Sequence, residues 1–218
     1  MTDFLHDPIA LSQALIRQPT VNPCHDGAQD VLADALESIG FRTKRYHFDG
    51  VDNLYARLGG ASPNFCFAGH TDVVPVEGQA WSGDPFTLIE RDGRYYGRGA
   101  ADMKGAVATL VYGLHAAQQA GTGGVGGSVL LALTADEEGE AQDGARYLVE
   151  ELGVRGDAVL IAEPCGVMRD WECLPLVSRG FGAARFAVRG TAMHSSVSDR
   201  LPCVNASLMA GRLMLHLQ

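Results

Sequence analysis

The sequence predicts an α/β protein with a mixed, largely parallel sheet that is flanked by helices. Three short apolar runs, over 65–68, 128–134 and 157–161, have the composition of buried strands. Helical patterns over 103–120 and 143–152 separate these runs. Each predicted strand is followed by an acidic or imidazole side chain, and ligands of open α/β sheets bind along that edge.

The segment before the first run contains two predicted helices and two predicted strands. Asp7 followed by Pro8 is an N-cap with a proline in the first turn, and the apolar stripe that follows stops before Pro19. Gly40 is the predicted C-cap of the second helix. The remaining predicted boundaries are a helix over 28–39 and strands over 41–48 and 53–58.

Composition and charge exclude several classes of protein. A chain of 218 residues with 46% hydrophobic content can bury a sizeable core as one domain or one and a half. The net charge of −9 and the pI near 5.1, with no basic stripe, argue against a nucleic-acid or membrane-surface partner. The five cysteines have no CxxC spacing, which is typical of a reducing compartment. The N-terminal residues MTDFLHDPIA do not resemble a targeting segment and no apolar run approaches about 18 residues, so a cytoplasmic location is expected.

The stretch over 65–105 carries the first candidate metal ligands. His70 and Asp72 follow the apolar run over 65–68, and alternate side chains of an extended backbone point to the same side. An imidazole that binds a metal usually donates its other ring N–H to a nearby acceptor, which Asp72 can supply. A surface histidine beside a turn aspartate would explain this pair better if the pair stood alone.

Asp102 supplies the second half of the argument from the same stretch. It precedes the helical pattern over 103–120, where an aspartate is often only an N-cap. Capping alone does not require Gly97, Gly99 and Gly105 on both sides of it. Asp102 is therefore a candidate ligand.

The two later strands end in further carboxylates. Glu137 and Glu138 follow the strand over 128–134, and Glu163 follows the strand over 157–161. Acidic residues after strands are common as helix caps. Several carboxylates in one crevice, however, would cost on the order of several kcal/mol without a cation.

The donor types indicate which metal would bind and how many ions. One histidine with several carboxylates suits zinc, with cobalt or manganese as substitutes. Two ions are predicted rather than one, because Asp102 is placed to bridge them. The adjacent Glu137 and Glu138 offer a ligand and a free base.

Four motifs, in this order and spacing, resemble a known family. They are GHTDVVP, GRGAADMKG, DEEG and AEP. They are similar to those of the zinc-exopeptidase-like two-zinc amidohydrolases, the family that contains succinyl-diaminopimelate desuccinylase, acetylornithine deacetylase and aminoacylase-like peptidases. The resemblance covers the chain from about residue 7 to its end, and VDNLYARLG with NFCFAGHTDVVPV is most similar to the desuccinylase branch.

The resemblance implies a role for each candidate residue. Asp72 would orient His70, and Glu137 would be the general acid and base. The peptide bond between Asp102 and Met103 would be cis. The implied zinc ligands are His70, Asp102 and Glu163 for one ion, and Asp102 with Glu138 for the other.

The resemblance also divides the chain into two domains. Residues 1–176 would form the N-terminal part of the metal-binding catalytic domain, and residues 177–218 would begin an inserted α+β lid or dimerisation domain. His194 would reach across a homodimer to the partner's active site and contact the substrate carbonyl, and Arg179 would bind a substrate carboxylate. The predicted elements of the lid are strands over 176–190 and a helix over 203–218.

Two features depart from the family pattern. The segment SVSDRLPCVNA after His194 is irregular where the family has a proline and a glycine. Family members also continue well past Gln218 and supply a late histidine to the second zinc. His216 lies on the predicted lid helix and is not expected to replace that histidine. The chain is therefore expected to be truncated at its C-terminal end.

The function that the resemblance implies is hydrolysis of the amide bond of an N-acyl amino acid, a small molecule. N-succinyl-diaminopimelate is the favoured substrate, and N-acetylornithine or a small acylated peptide is the alternative. A hypothesis of another class is a catalytically inactive remnant that binds metal or a partner.

Overall fold

The computed structural model describes residues 4–21, 27–121, 126–139, 141–165, 169, 175–176, 185–194 and 202–216. The chain divides into two compact units, Met1–Cys173 and Leu174–Gln218. Within the described ranges, no helix has the length and apolar character needed to cross a membrane.

The first unit is built on a five-stranded sheet. In chain order the described strands of this unit, including those of a separate two-stranded sheet, are β1 Arg42–Phe48, β2 Val51–Leu58, β3 Asn64–His70, β4 Ile89–Arg91, β5 Arg94–Tyr96, β6 Ser128–Thr134 and β7 Ala158–Ile161. The order across the five-stranded sheet is β1-β2-β6-β3-β7, and among the described strands β4 pairs only with β5. β2 is antiparallel to β1 and β6, whereas β3 is parallel to β6 and β7. Only β2 opposes the other four strands, which confirms the predicted mixed, largely parallel sheet.

Four helices of the described part of this unit accompany the sheet. They are α1 Pro8–Ile16, α2 Gly27–Ser38, α3 Lys104–Gln119 and α4 Ala145–Glu150. α1 packs against α2 and α3, α2 also contacts β1 and β2, and α4 contacts β6. The Asp7 side chain caps α1 as predicted, because its Oδ1 accepts a hydrogen bond from the Ile9 amide at 2.8 Å.

The main hydrophobic core lies where the apolar faces of α1, α2 and α3 meet the sheet. Full burial of a leucine side chain contributes about 1.5–3 kcal/mol of hydrophobic stabilisation. Because residues of α1, α2, α3, β2 and β6 share this one core, it holds these elements together. Its members include Leu11, Leu15, Leu32, Leu36, Leu54, Val107, Val111, Leu131 and Leu133.

The parallel register brings three strand ends to one edge of the sheet. His70 of β3 pairs with Thr134 of β6, and Ala68 of β3 pairs with Ile161 of β7. The Thr71 amide donates to the Thr134 carbonyl at 2.8 Å, so β3 and β6 stay together one residue beyond the ladder. Side chains that follow the three strands therefore emerge beside one another.

The β4–β5 hairpin was not predicted from the sequence. Its strands have three residues each, which is too short for an alternating pattern to be visible. Asp92 and Gly93 form its turn with φ of 54° and 72°. An Asp-Gly pair with positive φ at both residues is the usual two-residue hairpin turn, so this dipeptide was the available signal.

The second unit contains one described helix, α5 Ala206–His216. It begins later than the predicted start at 203, because Asn205 caps it by accepting a hydrogen bond from the Leu208 amide at 3.0 Å. The strands predicted over 176–190 are not found in the part of that segment that the structure describes, where 185–190 have no ladder partner. Instead, the Thr191 amide bonds to the Val204 carbonyl at 2.9 Å.

Candidate metal centre

The centre is organised around His70, the last residue of β3, whose side chain is fully buried. Its Nδ1 lies 3.0 Å from the backbone oxygen of Asp72. Its Nε2 lies 2.9 Å from Asp102 Oδ1 and 3.1 Å from Glu163 Oε1. One ring nitrogen is thus fixed by the protein backbone while the other faces two carboxylates, which is how an imidazole metal ligand is normally held.

Asp72 joins two of the loops at this edge. Its buried carboxylate accepts hydrogen bonds from the amides of Glu137 at 3.2 Å and Glu138 at 2.9 Å. Its Oδ1 also lies 3.4 Å from His70 Nδ1, farther away than its own backbone oxygen. The Asp72 side chain therefore fixes the Glu137–Glu138 segment most directly, and the Asp72 backbone lies closest to the imidazole.

Asp102 does not act as a helix cap in this structure. The N-cap of α3 is Met103, which makes no side-chain capping bond, and the half-exposed Asp102 carboxylate points to His70. The peptide bond between Asp102 and Met103 is cis, as the resemblance implies. The capping explanation for Asp102 is therefore wrong.

Two of the three glycines around Asp102, Gly99 and Gly105, are required by backbone conformation or by close packing. Gly99 has φ of +83°, which a residue with a side chain rarely adopts. A Cβ on Gly105 would lie 2.1 Å from the carbonyl oxygen of Ala100. These positions allow the loop to fold tightly enough to bring Asp102 to the imidazole.

The carboxylates form two groups with His70 that can hold a metal ion. Within each group the donor atoms all lie within 4.8 Å of one another. One group is His70, Asp102 and Glu163, and the other is His70, Glu137 and Glu138. The first contains the three ligands that the resemblance assigns to one zinc. The second differs from the implied pair for the other zinc, Asp102 with Glu138, because it contains the predicted base Glu137.

The close approach of His70 and the carboxylates shifts the pKa values of all five groups. The pKa of His70 is lowered by burial but raised more strongly by its hydrogen bonds to Asp72 and Glu163 and by their charges, so that it reaches about 11. The hydrogen bond with His70 lowers the pKa of Glu163. Burial, with the charges of neighbouring carboxylates, raises the pKa of Asp102, Glu137 and Glu138.

These observations test whether a divalent ion fits the residues present. Carboxylates that raise one another's pKa are stabilised in their charged form by a cation between them. One imidazole nitrogen with several carboxylate oxygens is a donor set that zinc accepts, and none of the five clustered side chains is a thiolate. The residues therefore fit a divalent ion such as zinc.

The other three histidine and arginine predictions concern residues of the second unit. His194 belongs to the second unit and is exposed. Arg179 lies outside the described residues. His216 is exposed in α5, where its Nδ1 lies 2.9 Å from the Arg212 carbonyl oxygen.

Two residues near the centre were given no role from the sequence. Asp136 is buried and its carboxylate accepts the Asp143 amide at 3.1 Å, which closes the loop that carries Glu137 and Glu138. Lys104 is fully buried at the start of α3. Both belong to motifs that were singled out, DEEG and GRGAADMKG, and that membership was the available signal.

Comparison with known proteins identifies related sequences. The profile of peptidase family M20/M25/M40 matches residues 66–173. Succinyl-diaminopimelate desuccinylase of Parvibaculum lavamentivorans is 43% identical over 198 residues, which cover 87% of this chain and 49% of that protein. The enzyme of the same name from Maricaulis maris is 48% identical over 204 residues, covering 92% of this chain and 52% of the relative. The chain spans about half the length of the curated relatives that it matches.

Solved structures share the fold. Human carnosine dipeptidase 1 is 25% identical with a TM-score of 0.61, over 72% of this chain and 38% of that one. An M20 family metallo-carboxypeptidase from Sulfolobus solfataricus is 20% identical with a TM-score of 0.63, over 72% and 37%. The region matched by the family profile contains His70, Glu137 and Glu163, and the desuccinylase of Maricaulis maris is similar over 92% of this chain. This chain therefore belongs to peptidase family M20/M25/M40.

Proposed function

We propose that the whole protein hydrolyses the amide bond of an N-acyl amino acid and that its substrate is N-succinyl-diaminopimelate. The observation that carries the proposal is the convergence of Asp102 and Glu163 on the buried imidazole of His70, at 2.9 and 3.1 Å. The substrate is taken from the relatives named succinyl-diaminopimelate desuccinylase, which are 40–48% identical to this chain.

The proposed cofactors are two zinc ions, with cobalt or manganese as substitutes. His70, Asp102 and Glu163 would hold the first ion, and Asp102 with Glu138 would contribute to the second. When bound, zinc supplies Lewis-acid chemistry, which lowers the pKa of water and polarises a carbonyl group.

The chain's own residues supply the proton transfers and the alignment. Glu137 is half-exposed, and its Oε2 lies 3.8 Å from His70 Nε2. Burial raises its pKa, which moves this carboxylate towards the range of an effective base at neutral pH. Glu137 would take a proton from water and return it to the leaving amine. The Asp72 carboxylate holds the Glu137 amide at 3.2 Å and so limits the positions that this side chain can reach.

The second unit supplies the remaining proposed roles. His194 would contact the substrate carbonyl in the partner subunit of a homodimer, and Arg179 would bind a substrate carboxylate. Residues 177–218 would begin the lid or dimerisation domain. The net charge of −9 supports the absence of a nucleic-acid or membrane partner. The proposed location is the cytoplasm, which the lack of CxxC spacing among the cysteines supports.

A substrate panel tests the reaction. The protein from the complete reading frame, loaded with zinc, is assayed with N-succinyl-diaminopimelate, N-acetyl-diaminopimelate, N-acetylornithine and a dipeptide, and amine release is measured. The succinyl substrate is expected to have the highest kcat/KM. Preference for the dipeptide would overturn the substrate assignment, and no hydrolysis of any member by the zinc-loaded protein would favour the inactive remnant. Glu77→Gln, at an exposed position, is the matched control and should keep full activity.

Subunit mixing tests the role of His194. Glu137→Gln and His194→Ala subunits are each expected to be inactive, but a heterodimer would contain one site with both groups. Activity should therefore return on mixing. Heterodimers that form without any activity would show that His194 does not act on the partner's site.

A further inference from the structure

Lys104 is the largest side chain that is fully buried in the described part of the chain. A buried lysine is rare, because taking an ammonium group out of water carries a large desolvation penalty unless polar partners replace the water. The chain has only two lysines, and the other, Lys44, is exposed in β1. A leucine or methionine would fill the same space without this penalty, so the amino group itself requires an explanation.

The amino group is bonded to a turn that also holds the segment following His70. Lys104 Nζ donates to the Gln18 carbonyl at 2.8 Å, and the Thr20 amide donates to the same oxygen at 2.9 Å. The Thr20 hydroxyl donates to the Thr71 carbonyl at 2.6 Å, and the Val73 amide donates to the Thr20 carbonyl at 2.9 Å. Lys104 is thus connected through residues 18–20 to the backbone on both sides of Asp72.

The aliphatic part of Lys104 supports the loop that carries Asp102. A Cβ placed on Gly99 would lie 3.1 Å from Lys104 Cδ and 3.1 Å from Val73 Cγ1. The Lys104 stem therefore lies directly against the backbone at Gly99, and Lys104 follows Asp102 by two residues. Lys104 therefore stands at the end of the loop over 99–104, its stem contacts the start of that loop at Gly99, and its amino group is bonded to the turn at 18–20.

We propose that Lys104 is a positioning residue of the metal site formed by His70, Asp102 and Glu163. Its side chain fixes the loop of Asp102 relative to the segment that follows His70, and so sets the 2.9 Å approach of the Asp102 carboxylate to the imidazole. The inference rests on the metal centre of the proposed function and is independent of the substrate. It predicts that loss of the amino group weakens metal binding more than the accompanying loss of stability explains.

The test is zinc affinity of the 218-residue chain, measured by competition with a chromophoric chelator and supported by the absorption spectrum of the Co²⁺ form. Lys104→Met keeps the stem against Gly99 and removes the bond to Gln18. Removing a group that orients a metal ligand typically lowers affinity about 10- to 100-fold, and this is the expected change together with an altered Co²⁺ spectrum. Lys44→Met, the matched control, should bind zinc as the wild type does. An unchanged affinity and spectrum for Lys104→Met would overturn the proposal.

A second control separates positioning from general stability. Val107 lies one turn further along α3 and is 1% exposed, so Val107→Ala destabilises the fold without touching the tether. Thermal unfolding is measured for both variants. Equal weakening of zinc binding by Val107→Ala and Lys104→Met at similar loss of Tm would show that Lys104 has only a structural role.

A measurement on the wild type covers the case in which Lys104→Met does not fold. With ¹³C-labelled lysine the two Cε signals can be assigned, and zinc is then added. The buried lysine signal should shift while that of Lys44 stays in place. No shift at saturation, or no zinc binding by the wild type, would overturn the inference. Zinc binding without hydrolysis of N-succinyl-diaminopimelate would instead count against the proposed substrate.

Discussion

β6 and β7 are both parallel neighbours of β3, yet they support the metal centre in different ways. β6 pairs with β2 and β3, and six of its seven residues are buried. β7 pairs with β3 alone among the described strands, and all four of its residues are exposed. Both strands lead into carboxylates at the same edge, Glu137 and Glu138 after β6 and Glu163 after β7.

The difference shows where the order of the site originates. The backbone of Glu137 and Glu138 is fixed by the buried Asp72 carboxylate, so the fold itself sets their position. Glu163 meets the site through its side chain, whose Oε1 lies 3.1 Å from His70 Nε2. Glu137 and Glu138 are therefore held in place by the folded chain before any ligand binds. Glu163 and β7, in contrast, are expected to become less mobile when a ligand is bound.

The largest expected effect is a loss of kcat in Glu137→Gln, which distinguishes Glu137, the proposed base after β6, from Glu163, the proposed metal ligand after β7. In the complete protein, Glu137→Gln should lower kcat by about 10²- to 10⁴-fold with unchanged zinc content, because the base is lost and the ligands remain. Glu163→Gln should lower zinc content itself. Both are measured by steady-state kinetics and by metal analysis after dialysis. Turnover that is unaffected by Glu137→Gln would remove this residue from the mechanism.

The second prediction concerns zinc retention by the 218-residue chain. The site of His70, Asp102 and Glu163 has three of its implied ligands here, whereas Asp102 and Glu138 are the ones assigned to the other ion. Zinc with fewer protein ligands is bound more weakly, so about one ion per chain should survive dialysis. Metal analysis gives the number. Two retained ions, with turnover of an N-acyl amino acid, would show that another residue of this chain completes the second site.

Much of this centre was predictable because most of its side chains lie at the carboxyl ends of apolar strands, which can be recognised in the sequence. An apolar run followed by His70, or by Glu163, places the side chain at the carboxyl edge whatever the rest of the fold does. The helices and sheet strands of the first unit followed from periodicity and lie within two residues of the predicted ends.

The remainder depended on contacts between distant segments, which periodicity does not encode. Asp72 accepts hydrogen bonds from the Glu137 and Glu138 amides, which lie 65 and 66 residues further along the sequence. Lys104 stands at a helix start, where a charged residue is ordinarily solvated, and its contact with Gln18 spans 86 residues. Such partners become visible only when the chain is folded.

A third prediction compares the strands by their stability. Leu131 of β6 is fully buried, so Leu131→Ala should lower the free energy of unfolding by about 2–5 kcal/mol. Leu160 of β7 is 38% exposed, so the same truncation there should cost about 1 kcal/mol or less. Urea unfolding of the two variants gives both values. Equal losses would mean that β7 is covered in solution.

The last and smallest effect concerns backbone amide exchange in the two strands with and without zinc. β6 amides are expected to exchange only when the whole unit unfolds, since this strand is buried and paired on both sides. β7 amides should exchange faster, through a local opening that separates Glu163 from His70.

Zinc at 100 times its dissociation constant stabilises the closed form by a factor of about 100 at most, so β7 exchange should slow by up to that factor. Glu163→Gln should abolish the slowing in β7. The β4–β5 hairpin, which pairs with none of the described strands of the five-stranded sheet, serves as an internal control and should exchange at the same rate throughout. Zinc protection of β7 that persists in Glu163→Gln would show that the strand is ordered by something other than its own carboxylate.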